Sequence, residues 1–211
     1  MNTEIFFVRH GETASNALGL LHGSTDVPLN NNGRLQASRV ADRLAMLEDV
    51  AALHSSPLSR ARATADEIGR RLGIEPTDQI GLAEIDFGAI EGLGFQELVG
   101  RHPELWRNLQ DPSESDAAFP GGESLAGFHE RVRNSLERLV KLHAGERIVV
   151  VAHGGVIASG IAQLVGEGTG GWGRYMVRNC SVTQLTWRRG SVALDCWDDV
   201  SHLDVVPELA R

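Results

Sequence analysis

The stretch "EIFFVRHGETASN", residues 4–16, decides the fold. Glu4 to Val8 reads as a short buried strand, and the run stops abruptly at Arg9-His10-Gly11. A strand built for a core that delivers an arginine and a histidine at its tip places polar chemistry at the edge of a sheet. The same grammar recurs twice. Val50 to Leu53 reads as a second strand running into His54-Ser55-Ser56-Pro57, with Arg60 and Arg62 just beyond. Ile148 to Ala152 is wholly apolar, suited to burial on both faces of a sheet, and ends at His153-Gly154-Gly155.

Helical patterns separate these strands. Asn30 to Asn32 offer a cap, and Leu35, Val40, Leu44 and Leu47 recur at roughly helical spacing. Ser56-Pro57 predicts a cap and a first-turn proline for a helix through about Leu72. A short third strand is expected near Ile74 to Ile80. Residues 85–123, with Gly, Pro and Trp106, read as an insertion carrying short helices. Ser124 to His143 predicts an amphipathic helix with Leu125, Phe128, Val132, Leu136 and Leu139 on one face, and Val156 to Val165 a further helix. Ser181 to Trp187 and Ser191 to Trp197 predict a hairpin around Arg189-Gly190. Strands alternating with helices give an α/β fold. The expectation is a three-layer αβα sandwich: a mostly parallel central sheet, helices on both faces and a small helical insertion. No repeat or linker divides the chain, so residues 1–211 are expected to form one domain.

Composition narrows the function. Of 211 residues, 42% are hydrophobic and 23% charged, a globular balance, and the net charge is -8. An acidic chain is a poor partner for nucleic acid, whose phosphates need a basic surface. Two cysteines, Cys180 and Cys196, are too few for a disulfide framework and show no CxxC spacing. The N-terminus has no basic stretch followed by a long apolar run, and no segment has the length of a membrane span. The expected location is therefore cytoplasmic, with no membrane partner. Asn179-Cys180-Ser181 fits a glycosylation pattern and is read as chance.

In a parallel sheet, ligands bind at the carboxyl ends of the strands. The three tips should then bring two histidines and at least two arginines to one pocket. Any one of these residues alone is more often structural; three strand tips with the same chemistry point to a site. Arginine's planar fork matches phosphate oxygens, and the helix opening near Pro57 adds a positive dipole end. Asn16 and the backbone amides around Gly11 are further candidate donors. There is no GxxxxGK loop for a nucleotide, and "GEGTGG", residues 166–171, follows a helix rather than a strand, so no dinucleotide cofactor is expected. No metal is expected either, since the eight histidines lack HExxH spacing. A neutral imidazole can attack phosphorus, and neighbouring arginines keep it neutral. The leaving alkoxide needs a proton, for which "LAEIDFGAIEG", residues 82–92, offers Glu84, Asp86 and Glu91.

"VRHGET", "SSPLSRARATA", "LAEIDFGAIEG", "GGES" and "VAHGG", in this order between residue 4 and about residue 187, resemble the histidine phosphatase superfamily, which includes the cofactor-dependent phosphoglycerate mutases. The resemblance implies that His10 is the nucleophile, that Arg9, Arg60 and His153 hold the phosphoryl oxygens with Asn16 as a further donor, and that Glu84 is the acid and base. With His22, Gly23 and Gly154 these make up the expected substrate-binding set. Asp86 and Glu91 are read as structural, and Arg62 has no family role. The family's mutases carry an ERHYG-like segment and a longer insertion, whereas here the acid stands in "AEIDFG" of a short chain, which favours hydrolysis.

The resemblance thus implies a phosphatase for small-molecule phosphate monoesters, of α-ribazole-phosphate or broad specificity. The alternatives are a phosphoglycerate-type mutase and a non-catalytic phosphate-binding regulatory module. The expected partner is a small phosphorylated metabolite, and a homodimer is allowed for. Phe87, Phe95, Trp106 and Phe119 are candidate walls for the rest of the substrate, or equally the packing of the insertion itself.

Overall fold

A computed structural model describes residues 2–110, 117–188 and 191–204. The chain builds β1 (Thr3–Arg9), a one-turn helix α1 (Ala14–Ala17), α2 (Asn31–Leu44), β2 (Val50–Ser55), α3 (Ser59–Leu72) and β3 (Thr77–Asp78). The short helices α4 (Phe95–Arg101) and α5 (Pro103–Gln110) follow. Then come α6 (Leu125–Leu142), β4 (Arg147–Ala152), α7 (Gly154–Leu164), β5 (Val182–Arg188) and β6 (Ser191–Asp199). The expected turn at Arg189-Gly190 lies outside the described residues.

The strands form one six-stranded sheet in the order β3-β2-β4-β1-β5-β6. β1, β2, β3 and β4 run parallel, while β5 and β6 are antiparallel additions at one side. Successive side chains of a strand point to opposite faces, and the core divides accordingly. Ile5, Phe7, Ile148, Val150 and Ala152 pack with Phe128, Val132 and Leu136 of α6 and Ile157 and Ile161 of α7. Phe6, Val8, Val149 and Val151 face the other way, onto Ala37, Val40 and Leu44 of α2 and Ala61, Ala65 and Ile68 of α3. This is the expected α/β sandwich with helices on both faces.

Register brings the strand tips together. Arg9 pairs with Ala152 and Ser55 with Val151. The next backbone bonds, His10 N–H to Ala152 O at 3.0 Å and Ser56 N–H to Val151 O at 2.9 Å, carry the alignment past the strand ends. Gly11 lets the chain leave β1 close against α2, since a Cβ there would stand 2.4 Å from Gly33 O.

Four local expectations are corrected. α3 begins at Ser59, with Leu58 as its cap, so Ser56-Pro57 lies outside the helix. Asp26 takes that helix end instead, its Oδ1 accepting from Ser59 N–H and Ser59 Oγ, both at 2.8 Å. The dipole end near Pro57 is thus occupied by a carboxylate of the chain. β3 is only two residues long, because Ile80–Leu82 turns into a 3-10 helix, with Ile80 exposed. Leu35 is also exposed, and α2 buries Ala37, Val40, Ala41 and Leu44 instead.

Candidate active site

His10 lies just past β1 and is 2% exposed. Its Nδ1 is 2.7 Å from Gly11 O. A carbonyl only accepts, so Nδ1 carries the proton and Nε2 keeps its lone pair. Burial, and then the charges of Arg9 and Arg60, hold His10 well below the usual histidine range. It is a neutral imidazole, and no described residue bonds its Nε2.

Arg60, on α3, is fully buried. Its Nε donates to His153 Nδ1 at 3.2 Å, one Nη to Thr25 O at 3.0 Å and the other to Gly23 O at 2.7 Å. Two of its five N–H groups therefore have no partner among the described residues and remain for a ligand. Arg9 donates to Val177 O at 2.6 Å, and its buried Nε has no partner among the described residues. A Cβ on Gly154 would stand 3.5 Å from that Nε, which fixes the arginine head against the start of α7. Burial lowers the pKa of both arginines, and Glu84 is the first of the charges that raise it. Buried guanidinium N–H groups without acceptors are what an anion fills.

His153 accepts from Arg60, so its proton sits on Nε2 and is donated to Ser56 Oγ at 2.7 Å; with both ring nitrogens engaged, it braces Arg60 here and does not offer the phosphoryl oxygens the direct donor that the resemblance implies. The His10 and His153 rings lie 5.0 Å apart, and His22 stands 6.1 Å from His10. Burial first, then Arg60, holds His153 well below its ordinary value. Asn16 Oδ1 accepts from Thr13 N–H at 3.1 Å and from Asn179 Nδ2 at 3.3 Å, which leaves its own amide N–H groups without a partner among the described residues. His22 approaches Thr13 Oγ1 at 3.2 Å and Leu20 O at 3.3 Å. Gly23 must be glycine, as a Cβ would meet Ile85 O at 1.8 Å.

Glu84 reaches the same place from the loop before the insertion. One oxygen accepts from Ile85 N–H at 3.0 Å, and Oε2 accepts from Gly155 N–H at 3.0 Å. A Cβ on Gly155 would lie 2.6 Å from Glu84 Oε1, so the helix start is shaped around the carboxylate.

Not every expected residue joins. Arg62 turns outward to Asp66, Asp78 and Glu75, and its hydrogen bond to Asp66 leads the causes that raise its pKa. The amides near Gly11 are also occupied, Gly11 N–H by Thr64 Oγ1 at 3.1 Å and Glu12 N–H by Gln36 at 2.8 Å. Asp86 and Glu91 hold the loop of residues 24–25: Glu91 accepts from Ser24 N–H at 2.7 Å and Thr25 N–H at 2.8 Å, and Asp86 from Ser24 Oγ at 2.9 Å. Phe87 stacks edge-on to Phe119 and Phe95 to Trp106, packing the insertion itself. Among the described residues, no group of three or more His, Cys, Asp or Glu side chains could hold a metal ion, and no helix is long and apolar enough to cross a membrane.

Three contributors were not expected from the sequence, and a fourth, Ser56, was expected only as a helix cap. Asn179 donates to His10 O at 2.9 Å, Thr64 holds Gly11, Arg131 of α6 grips the Glu84 loop, and Ser56 receives His153. Each is an ordinary polar residue far along the chain from its partner; Asn179 was visible only as part of a glycosylation pattern.

A neutral histidine, a buried and a half-buried arginine with N–H groups that no described residue uses, and a carboxyl group beside them make a pocket suited to a phosphoryl group. The family model for branch 1 of the histidine phosphatase superfamily matches residues 5–200, and the chain belongs to that family. It is 36% identical to a metal-independent phosphoserine phosphatase of Arabidopsis thaliana, over 99% of this chain and 87% of that protein. It is 38% identical to phosphoglycerate mutase-like protein 4 of the same plant, over 95% and 87% respectively. The crystal structure of a phosphoserine phosphatase mutant from Entamoeba histolytica, in complex with phosphoserine, superposes with a TM-score of 0.83 at 32% identity, covering 95% of this chain and 99% of that one.

Proposed function

We propose that this histidine phosphatase hydrolyses small phosphate monoesters through a phosphohistidine on His10. The observation that carries the reading is the neutral His10, its Nε2 unbonded by any described residue, beside the buried Arg60 and the half-buried Arg9, which retain N–H groups without partners among the described residues. Arg9, Arg60 and the Asn16 amide bind the phosphoryl oxygens. His153 holds the Arg60 head through its Nδ1 and is fixed by Ser56. As Nε2 bonds to phosphorus, the ester oxygen departs and takes a proton from Glu84. Water then enters, gives a proton to Glu84 and attacks phosphorus, restoring His10 and releasing inorganic phosphate. Charge developing on the phosphoryl oxygens is met by donors already in place, so little reorganisation opposes the reaction.

Likeness to a protein named mutase-like keeps phosphoryl shuttling as a second reading. The experiment follows the phosphoryl group in the wild type and in Glu84→Gln. Hydrolysis predicts inorganic phosphate in step with substrate loss. In Glu84→Gln, p-nitrophenyl phosphate, whose leaving group needs little protonation, should load His10 faster than water clears it. Mass spectrometry after quenching in base then finds a phosphohistidine. Conversion of 3-phosphoglycerate to 2-phosphoglycerate faster than phosphate appears would favour the mutase. No phosphoenzyme, with both ester types equally impaired, would remove Glu84 from its role.

A further inference from the structure

A cavity of about 480 Å³ opens beside Glu84, between the Ser24 loop and α6. Glu84 belongs both to this cavity and to the phosphoryl pocket, since its Oε2 is bound by Gly155, two residues beyond His153. An alcohol leaving phosphorus towards Glu84 therefore departs into this space, whose volume suits a small organic group.

Its charge turns on one residue. Among the described residues that line it, Arg131 is the only basic one. Its Nε and one Nη hydrogen go to the Glu123 carboxylate at 2.7 and 2.8 Å. The other three go to Gly81 O at 3.2 Å, Ala83 O at 2.6 Å and Glu84 O at 3.0 Å. A guanidinium has five N–H groups, and all are spent. Nothing is left to receive a substrate carboxylate. Glu123 balances the Arg131 charge. Asp86 is not balanced: its Oδ1 accepts from Ser24 Oγ and Gly88 N–H, both at 2.9 Å, and Oδ2 has no donor among the described residues. With Arg131 matched to Glu123, the described lining has no cation left to balance Asp86, and the cavity favours a positive group over a negative one.

Building on the phosphatase reading above, we propose that the cavity selects amino-alcohol phosphates: monoesters whose leaving alcohol bears an ammonium group and no carboxylate, the ammonium meeting Asp86. The P–O bond to the amino alcohol breaks as the bond from His10 Nε2 to phosphorus forms, and the departing oxygen takes the Glu84 proton. Water supplies the proton and oxygen that complete the cycle. The products are the amino alcohol and inorganic phosphate.

Three monoesters of nearly equal size test the charge alone: 2-aminoethyl phosphate, n-propyl phosphate and phosphoglycolate, with p-nitrophenyl phosphate as the control for chemistry. At low ionic strength kcat/KM for the aminoethyl ester should exceed that of the propyl ester about tenfold, with phosphoglycolate lowest, as expected for one charge pair in a partly screened cavity. Raising salt to about 0.5 M should shrink that ratio, whereas differences in leaving-group reactivity would persist. Asp86→Asn should bring the aminoethyl-to-propyl ratio to its high-salt value. The salt series in the wild type stands on its own if that variant does not fold. If p-nitrophenyl phosphate is hydrolysed through phospho-His10 but the propyl ester or phosphoglycolate equals the aminoethyl ester, the proposal is overturned and the phosphatase reading stands. If no monoester, p-nitrophenyl phosphate included, is hydrolysed, both fall.

Discussion

At the scale of single residues, the site is governed by which polar atoms have spent their hydrogen bonds. His10 donates its Nδ1 hydrogen to Gly11 O and holds Nε2 in reserve, and Arg60 keeps two N–H groups without partners among the described residues although it is fully buried. His10→Ala removes the proposed nucleophile, and turnover should fall to background in a phosphate-release assay; retained activity would show that the histidine is structural. Arg60→Ala should cost on the order of 3 kcal/mol of transition-state binding, roughly a hundredfold in kcat/KM, as removal of one preorganised donor does elsewhere. A loss below about fivefold in kcat/KM would mean that the guanidinium braces the Thr25 and Gly23 carbonyls and does not hold the phosphoryl group. Much of this was legible from residue types. Arg9, His10 and His153 stand at the ends of apolar runs, and the alternation of a strand fixes where such ends lie. Glu84 was one of three acids within a short stretch, and its contact with Gly155 N–H is what sets it apart from Asp86 and Glu91.

At the scale of elements, Glu84, the proposed acid, is carried by a loop that α6 holds in place. Arg131 binds the carbonyls of Gly81, Ala83 and Glu84 and is itself clamped by Glu123. Arg131→Met preserves a long apolar stem and leaves three loop carbonyls and Glu123 without their donor. Glu84 should then sample other positions. The expected signature is that of a misplaced acid: kcat for an alkyl phosphate falls by about tenfold or more, while kcat for p-nitrophenyl phosphate falls much less, because positioning matters only where the leaving group needs the proton. Steady-state kinetics on the two substrates decides it, and equal losses would assign Arg131 to stability alone. Opposite the loop, α7 opens with Gly154-Gly155, and the second glycine is what allows the carboxylate to sit on the helix start. The pattern of apolar residues announced both helices. It could not announce that one donates an arginine to a loop 47 residues earlier.

At the scale of the whole molecule, burying histidines makes stability depend on pH. His54 is pushed down to about 4 by burial first and then by His143, whose Nε2 lies 2.9 Å from its own, and His129 is pushed down to about 4 chiefly by burial. The folded state disfavours these protons, while the unfolded chain accepts them near the ordinary value of 6.5. Unfolded molecules therefore bind more protons between pH 6.5 and about 4, and stability falls as the pH drops through that window. Asp199, lowered to about 2 mainly by the Ser201 N–H, extends the decline at the acid end. Urea midpoints should be level above about pH 7 and decrease steadily below it; a midpoint that rises on acidification would contradict the buried neutral histidines. The sequence by itself determined the class of fold, the two-sided burial of the central strands and the residues at their tips, because strand and helix periodicities are local and a strand end in a parallel sheet is a predictable edge. Tertiary structure alone decided which atoms meet there. Asn179 reaches His10 across 169 residues, Ser56 and not a helix end meets His153, and Arg62 turns away from the site that Arg60 enters. Those outcomes depend on register between strands and on which hydrogen-bond partners remain unspent, and neither quantity exists until the chain has folded.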